Sequence, residues 1–359
     1  MKMRKLGSTG LQVSAIGLGA MGMSGMYGPS DRVEGLATIH AALDAGINLI
    51  DTGDFYGMGH NEMLIGEALK GRRRDDVLLS VKFGALRAPD QSWIGFDARP
   101  AALKTACAYS LQRLGVDHID VYRPARLDPA VPIEDTIGAI AELVQAGYVR
   151  HIGLSEVGAE TIRRAAAVHP IVDLQIEYSL LSRGVEDEIL AVTRELGVAI
   201  TAYGVLSRGL IGGHMQGGVA TTGVHGQGDF RGHSPRFQGE NLQKNLALTE
   251  ALRAEAAKLG LTPAQAAIAW ALAKGDDIVP VIGARTRQRL AETLGALDKA
   301  LAPDQVAALE AAVPKDAAAG DRYPAMQMAS LDSERRSSLP QRAGTGRASG
   351  HDRVAALKI

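Results

Sequence analysis

A closed α/β barrel of eight parallel strands with helices packed outside, a (β/α)8 barrel, is the fold this sequence predicts, and two observations carry it. Short apolar or β-branched runs alternate with amphipathic helical stretches along most of the chain. The most reactive side chains also fall just after those runs, where the βα loops of such a barrel meet. In order, strands are expected at 15–19, 48–51, 77–82, 118–122, 148–153, 172–176, 199–203 and 278–282. The first is an apolar run closed by Gly17-Leu18-Gly19, the second ends in Asp51, the third in Lys82 and the seventh in Tyr203. Helices are expected at 32–45, 61–70, 99–114, 134–146, 159–168, 186–196, 243–259, 263–273 and 287–297. Thr262-Pro263 is a start signal for the eighth, because proline lacks an N–H that the first helical turn would leave unpaired. An N-terminal β-hairpin precedes the barrel. A long loop, 207–240, follows the seventh strand.

The chain has 359 residues, long for one ordinary domain but within the range of an undivided barrel. The expected division is a barrel over 1–315 and a C-terminal extension over 316–359, which is polar and frayed from Asp332 onward. With 46% hydrophobic residues the chain can bury a large core, so disorder is not the default. Lys and Arg number 39 against 40 Asp and Glu, a balance that gives no bulk attraction to nucleic acid or membrane. Cys107 is the sole cysteine and sits in an alanine-rich stretch, which suits a buried structural thiol rather than a nucleophile or zinc ligand. Glycines and polar residues interrupt the N-terminus, and no run of about 18 apolar residues is free of charge or glycine. A cytoplasmic protein is expected.

The loop at 207–240 is dense in glycine and is expected to form a mobile lid over the barrel mouth. His214, His225 and His233 within it match no metal-ligand spacing, and no metal is expected. Gly17-Leu18-Gly19-Ala20-Met21-Gly22 satisfies a dinucleotide-binding pattern, with Asp44 and Asp51 at ribose-ligand distance. Context excludes that reading. A phosphate-binding turn needs its helix to begin at the last glycine, and here the next helix waits until about Asp31.

Three side chains at adjacent strand ends make chemical sense together. Asp51 closes the second strand, Tyr56 lies five residues on, and Lys82 ends the third strand. A lysine at the end of an apolar strand needs a partner, and Asp51 is at hand. A phenol is a weak acid at neutral pH. A nearby ammonium favours its phenolate, and a carboxylate holds that ammonium in place.

With these residues in view the chain resembles the aldo-keto reductases, in particular the branch of auxin-induced proteins, pyridoxal reductases and potassium-channel β-subunits. The matching segments run in order from Arg4-Lys5-Leu6-Gly7 through Asn48-Leu49-Ile50-Asp51-Thr52, Tyr56-Gly57 and Lys82-Phe83-Gly84. Tyr148-Val149-Arg150-His151-Ile152-Gly153-Leu154-Ser155, Gln175-Ile176-Glu177-Tyr178-Ser179, Gly204-Val205-Leu206-Ser207-Arg208-Gly209 and Pro280-Val281-Ile282-Gly283 follow. The resemblance implies Tyr56 as proton donor, tuned by Asp51 and Lys82, and NADPH as cofactor across the barrel mouth. It implies Tyr203 stacked on the nicotinamide, and Ser155 and Gln175 on the carboxamide. Gly204, Leu206, Arg208, Gly283, Glu292 and Thr293 are the further cofactor contacts it implies, with Arg285 and Arg289 on the 2′-phosphate. A guanidinium at a helix N-terminus suits a phosphate.

One departure stands out. Where the family carries a histidine after the fourth strand this chain has Ala125, within Tyr122-Arg123-Pro124-Ala125-Arg126-Leu127-Asp128-Pro129. Losing one carbonyl donor typically costs about a hundredfold in rate, roughly 3 kcal/mol. Arg123, or a bound water, is left to supply it. Glu156 replaces an asparagine after Ser155; its carboxylate can accept from a carboxamide NH2 but cannot donate. Thr293 stands where an asparagine often contacts adenine. The substrate pocket is expected near Met23, Trp93 and Arg123.

The function this supports is NADPH-dependent reduction of an aldehyde or ketone, a small-molecule carbonyl substrate. The alternative is a nicotinamide-binding sensor or regulatory subunit with little turnover, motivated by Ala125. A lyase or isomerase would need metal carboxylates or a Schiff-base lysine; Lys82 is the one candidate, and its pairing with Asp51 keeps it protonated. Oligomeric state is not legible.

Overall fold

The computed structural model describes residues 1–212 and 229–335. Eight parallel strands close a barrel: β3 (Gly17–Gly19), β4 (Leu49–Gly53), β5 (Leu78–Phe83), β8 (Ile119–Pro124), β9 (Val149–Ser155), β10 (Ile171–Glu177), β11 (Ala199–Tyr203) and β12 (Ile278–Gly283). β12 pairs with β3 to complete the ring. All eight predicted strands are present, and most extend one or two residues further at their carboxyl ends, toward the mouth. The expected hairpin is β1 (Met3–Leu6) paired antiparallel with β2 (Leu11–Ser14). Its Leu6 and Val13 pack with Leu49, Val121, Val172, Ala199, Val279 and Val281, so the hairpin caps an apolar barrel floor.

The helices are α1 (Arg32–Asp44), α2 (His60–Ala68), α3 (Pro100–Leu114), α4 (Ile133–Gln145), α5 (Ala159–Val168), α6 (Ile189–Leu196), α7 (Gly239–Lys258), α8 (Pro263–Ala273), α9 (Arg287–Leu294), α10 (Pro303–Ala312) and α11 (Ala325–Met328). α8 opens on a full capping box, with Thr262 accepting from the Gln265 backbone and Gln265 answering in kind. α7 begins earlier than the periodicity suggested. α6 starts at Ile189, after a 3-10 turn, and α9 stops at Leu294 with another turn behind it. A second hairpin, β6 (Ala85–Arg87) with β7 (Trp93–Phe96), and helices α10 and α11 have no counterpart among the predicted elements. Cys107 is buried in the helix–sheet core, which pushes its thiol up to about 11, as expected of a structural cysteine.

The predicted loop 207–240 lies partly outside the described residues, with His214 and His225. His233 and the stretch before α7 form two 3-10 turns, Phe230–His233 and Pro235–Phe237. Of the stretch expected to fray, 336–359 lies outside the described residues. Residues 332–335 are held. The Asp332 carboxylate accepts from the Gly158 N–H at 2.9 Å and the Thr161 hydroxyl at 2.7 Å, because the free amides where α5 begins need an acceptor.

Candidate functional site

Side chains alternate along each strand, so every second residue points into the barrel. Above the apolar floor the inward positions turn polar: Asp51 of β4, Ser80 and Lys82 of β5, Arg123 of β8, Asp173 and Gln175 of β10 and Thr201 of β11, all buried. Lys82 Nζ donates to Asp51 at 2.6 Å. The other Asp51 oxygen accepts from Ser80 at 2.9 Å and from Gln175 Nε2 at 2.6 Å. Arg123 donates to Ser80 at 2.9 Å and lies 3.0 Å from Asp173, which Thr201 also reaches at 2.6 Å. Two cations and two anions thus balance in one hydrogen-bonded layer, the arrangement buried charge requires.

Tyr56 sits above this layer. It opens a 3-10 turn whose Gly57 and Gly59 have φ of 57° and 92°, a backbone that glycine adopts without strain. Asn61 fixes the turn, accepting from Thr52 at 2.6 Å and donating to the Ala20 carbonyl at 2.9 Å and the Ser24 hydroxyl at 2.7 Å. Lys82 Nζ is 5.0 Å from the Tyr56 ring centroid, so the predicted triad is assembled. Burial is the main influence on Tyr56, and with the Asp51 charge it raises the phenol well above its usual value; Arg126 opposes. Burial also lowers the Lys82 pKa against the pull of Asp51. Tyr56 therefore rests fully protonated, and the expected net lowering by Lys82 is not what the site does in this state.

Asp54 shows the same effect on a carboxyl. Burial, then the charge of Glu62, pushes it up to about 7; one oxygen accepts from Gly84 N–H at 3.3 Å and the other has no partner. A folded-state pKa above the unfolded value of about 3.9 means that the folded form holds the proton more tightly. The cost is absent below about pH 4, grows as pH rises toward 7 and is complete above it. Asp54→Asn is therefore expected to stabilise the protein at pH 8, by up to about 4 kcal/mol, and by much less at pH 4.5. Urea unfolding at both pH values checks this.

Two members of the expected pocket lie elsewhere. Arg123 is 0% exposed and ion-paired to Asp173, one layer below the mouth, so it cannot meet a substrate. Met23 is 1% exposed and packs in the helix–sheet core, because its short 3-10 turn faces inward. Trp93 is at the rim, 41% exposed, with its ring 5.6 Å from Phe55 and covered by Arg87 at 3.8 Å.

The cofactor expectations divide into two ends. At one end Arg285 donates to the Tyr27 and Pro29 carbonyls at 3.2 and 3.3 Å, and Arg289 stands in the first turn of α9 beneath the Thr286 cap. Neither guanidinium has a carboxylate within 4.0 Å among the described residues, and burial, then Arg289, lowers the Arg285 pKa. Two like charges near a helix N-terminus, neither paired with a carboxylate among the described residues, suit a phosphate. Gly283 is exposed at the end of β12, paired with Gly19. Glu292 is partly exposed, whereas Thr293 is buried against the barrel.

At the other end the ring of Tyr203 is partly open while its hydroxyl donates to Glu156 at 2.6 Å. Ser155 lies beside Arg126, 3.4 Å away, and Gln175 gives its amide N–H to Asp51. Gly204 has φ 68°, and a Cβ there would press on Glu177 at 3.0 Å; Leu206 is half-buried just beyond. Arg208 is engaged by Glu177 at 2.9 Å and stacks 4.0 Å from the Tyr323 ring.

Glu156 corrects an expectation. Its carboxylate is not free for a carboxamide. One oxygen accepts from Glu177 N–H, Tyr203 and Arg322, the other from Arg322 and Ser333. Despite burial, Arg322 holds it well below the usual carboxylate range. Arg322 also pairs with Glu177 at 3.1 Å and Glu334 at 2.6 Å, and Tyr323 beside it bonds Tyr203 at 3.0 Å and Arg126 at 3.3 Å. Sequence reading missed Arg126, Arg322 and Tyr323. The last two lie in the expected extension, with no periodicity to mark them; Arg126 stood in the quoted segment beside Ala125.

The profile of the Aldo/keto reductase family matches residues 15–314. The chain is 42% identical over 322 residues to "Probable aldo-keto reductase 1" of Glycine max, covering 89% of this chain and 91% of that protein. Among solved structures it resembles a glycerol dehydrogenase from Gluconobacter oxydans, with TM-score 0.78 and 29% identity over 86% of this chain and 94% of that one. It also resembles an aldo-keto reductase from Bacillus halodurans in its holo form, with TM-score 0.71 and 27% identity over 87% and 96%.

Proposed function

The chain belongs to the Aldo/keto reductase family, whose members are generally NAD(P)H-dependent oxidoreductases, and on that premise we propose that it reduces aldehydes or ketones to alcohols using NADPH, with Tyr56 as proton donor. The observation that carries this is Lys82, 2.6 Å from Asp51 and 5.0 Å from the centre of the Tyr56 ring. When bound, a reduced nicotinamide supplies hydride to the carbonyl carbon. The chain acts at the oxygen. As the C=O π pair moves onto oxygen, Tyr56 Oη gives its proton there, and the phenolate so formed is reprotonated from solvent. A phenol raised above its usual pKa is a reluctant acid in its resting state, and the buried ammonium beside it eases the charge that develops. Tyr203 and Ser155 line the nicotinamide side in this reading, and Arg285 and Arg289 hold the 2′-phosphate.

A second reading, a nicotinamide-binding regulatory protein, draws on Ala125, which stands where the resemblance implies a histidine. Carbonyl-dependent oxidation of NADPH, assayed with pyridoxal and 4-nitrobenzaldehyde, decides between them. Turnover is expected. Arg289→Ala is expected to weaken NADPH at least about tenfold and to leave NADH within about twofold, since only the former has the phosphate. Equal losses for both cofactors would remove Arg289 from the phosphate site. NADPH binding without oxidation favours the regulatory reading.

A further inference from the structure

We propose that Arg126 takes the part of the missing imidazole, donating hydrogen bonds to the substrate carbonyl oxygen beside Tyr56. This rests on the reading of Tyr56 as proton donor. Ala125 is buried just past the end of β8, and the next residue sets its guanidinium beside that position. Arg126 Nη1 donates to its neighbour's carbonyl, Ala125 O, at 2.6 Å and lies 3.4 Å from Ser155 Oγ, while Nη2 donates to Tyr323 at 3.3 Å.

Those contacts place the group between the end of β8, the end of β9 and the Tyr203–Tyr323 hydroxyl pair. Its charge is felt by both Tyr56 and Lys82. Nη1 uses two N–H groups and Nη2 one, so two of the five guanidinium donors have no partner among the described residues. No carboxylate lies within 4.0 Å of it among those residues either, unlike Arg123, Arg208 and Arg322 in the same barrel. Burial disfavours its charge, but Tyr323, Tyr203 and Glu156 more than offset this, so it stays protonated.

A fixed cation with free donors suits an oxygen that gains charge in the transition state. During reduction Arg126 transfers no proton. It holds the C=O before hydride arrives and stabilises the developing alkoxide until Tyr56 protonates it. A guanidinium is planar and permanently charged, so the donor it provides does not titrate near neutral pH, as an imidazole would.

The test compares Arg126→Gln, Arg126→Lys and Arg126→Ala with the parent protein and Tyr56→Phe. The substrates are neutral 4-nitrobenzaldehyde and anionic 4-carboxybenzaldehyde, and NADPH affinity is read by fluorescence titration. Arg126→Gln is expected to lower kcat about a hundredfold for both aldehydes, with NADPH affinity unchanged. Arg126→Lys should keep part of the rate, and millimolar guanidinium should restore part of it to Arg126→Ala. Adding Ala125→His to Arg126→Gln should recover activity with a new pH dependence near 6.5, the imidazole value.

An unchanged kcat in Arg126→Gln while Tyr56→Phe is inactive overturns this proposal alone. A raised KM for the anionic aldehyde, with kcat intact for both substrates, makes Arg126 an anchor for anionic substrates and overturns it too. A parallel loss of NADPH affinity makes it a cofactor contact and likewise ends the proposal. A parental rate in Tyr56→Phe instead fails the reading of Tyr56 on which the proposal stands.

Discussion

Tyr56→Phe is expected to lower kcat for carbonyl reduction by about 10²- to 10⁴-fold, the usual share of a general acid, with NADPH affinity within about twofold. The substitution removes one oxygen from a ring that packs edge-on against Phe55 at 4.7 Å and lies 5.0 Å from Lys82 Nζ. The packing survives and the acid is gone. Steady-state kinetics with 4-nitrobenzaldehyde, paired with a fluorescence titration of NADPH, separates chemistry from binding. The pH dependence has a definite sign. Burial and Asp51 raise the phenol, so its acid form persists well above neutrality. Reduction is expected to be flat with respect to Tyr56 between about pH 6 and 9, and alcohol oxidation, which needs the phenolate, to rise with pH. A reductive rate that falls through neutral pH would show that another group is the acid.

Arg123→Met is the other large effect, and it concerns stability. Removing one partner of a buried ion pair leaves Asp173 charged and enclosed, with an oxygen that already lacks a hydrogen bond. Such losses are typically about 3–5 kcal/mol. Urea unfolding of Arg123→Met should show a cost of that order, and adding Asp173→Leu should recover most of it, since an apolar pair replaces an ionic one at little cost. The KM for a small aldehyde should be unchanged in whatever fraction folds. A raised KM without lost stability would return Arg123 to the substrate pocket, where the sequence alone had placed it.

Arg123 and Arg126 mark where sequence reading holds and where it stops. Strand existence was legible because apolar runs between helices announce themselves, and all eight strands are in the barrel. The juxtaposition was legible because Asp51 and Lys82 sit at the ends of adjacent strands in register and Tyr56 follows in the turn just beyond β4. The two arginines differ by three positions, one on a strand and the other in the loop beyond it. That offset separates a sealed barrel layer from an open mouth, and composition does not encode depth. Met23 failed for a related reason, since a loop residue that turns inward looks, in sequence, like one that lines a pocket. The Glu156–Arg322 pair was out of reach because its members are 166 residues apart and neither belongs to a periodic pattern. Only the unexpected glutamate hinted that a cation had to come from somewhere.

That pair has a consequence for how the mouth is completed. The last barrel strand, β12, ends at Gly283. Glu156 and Glu177 share Arg322, which the chain supplies only beyond that strand, and Glu156 holds a left-handed backbone at φ 51° that favours glycine. The rim of the mouth is therefore completed by residues 322–335, a segment that follows the last barrel strand and packs back over the ring.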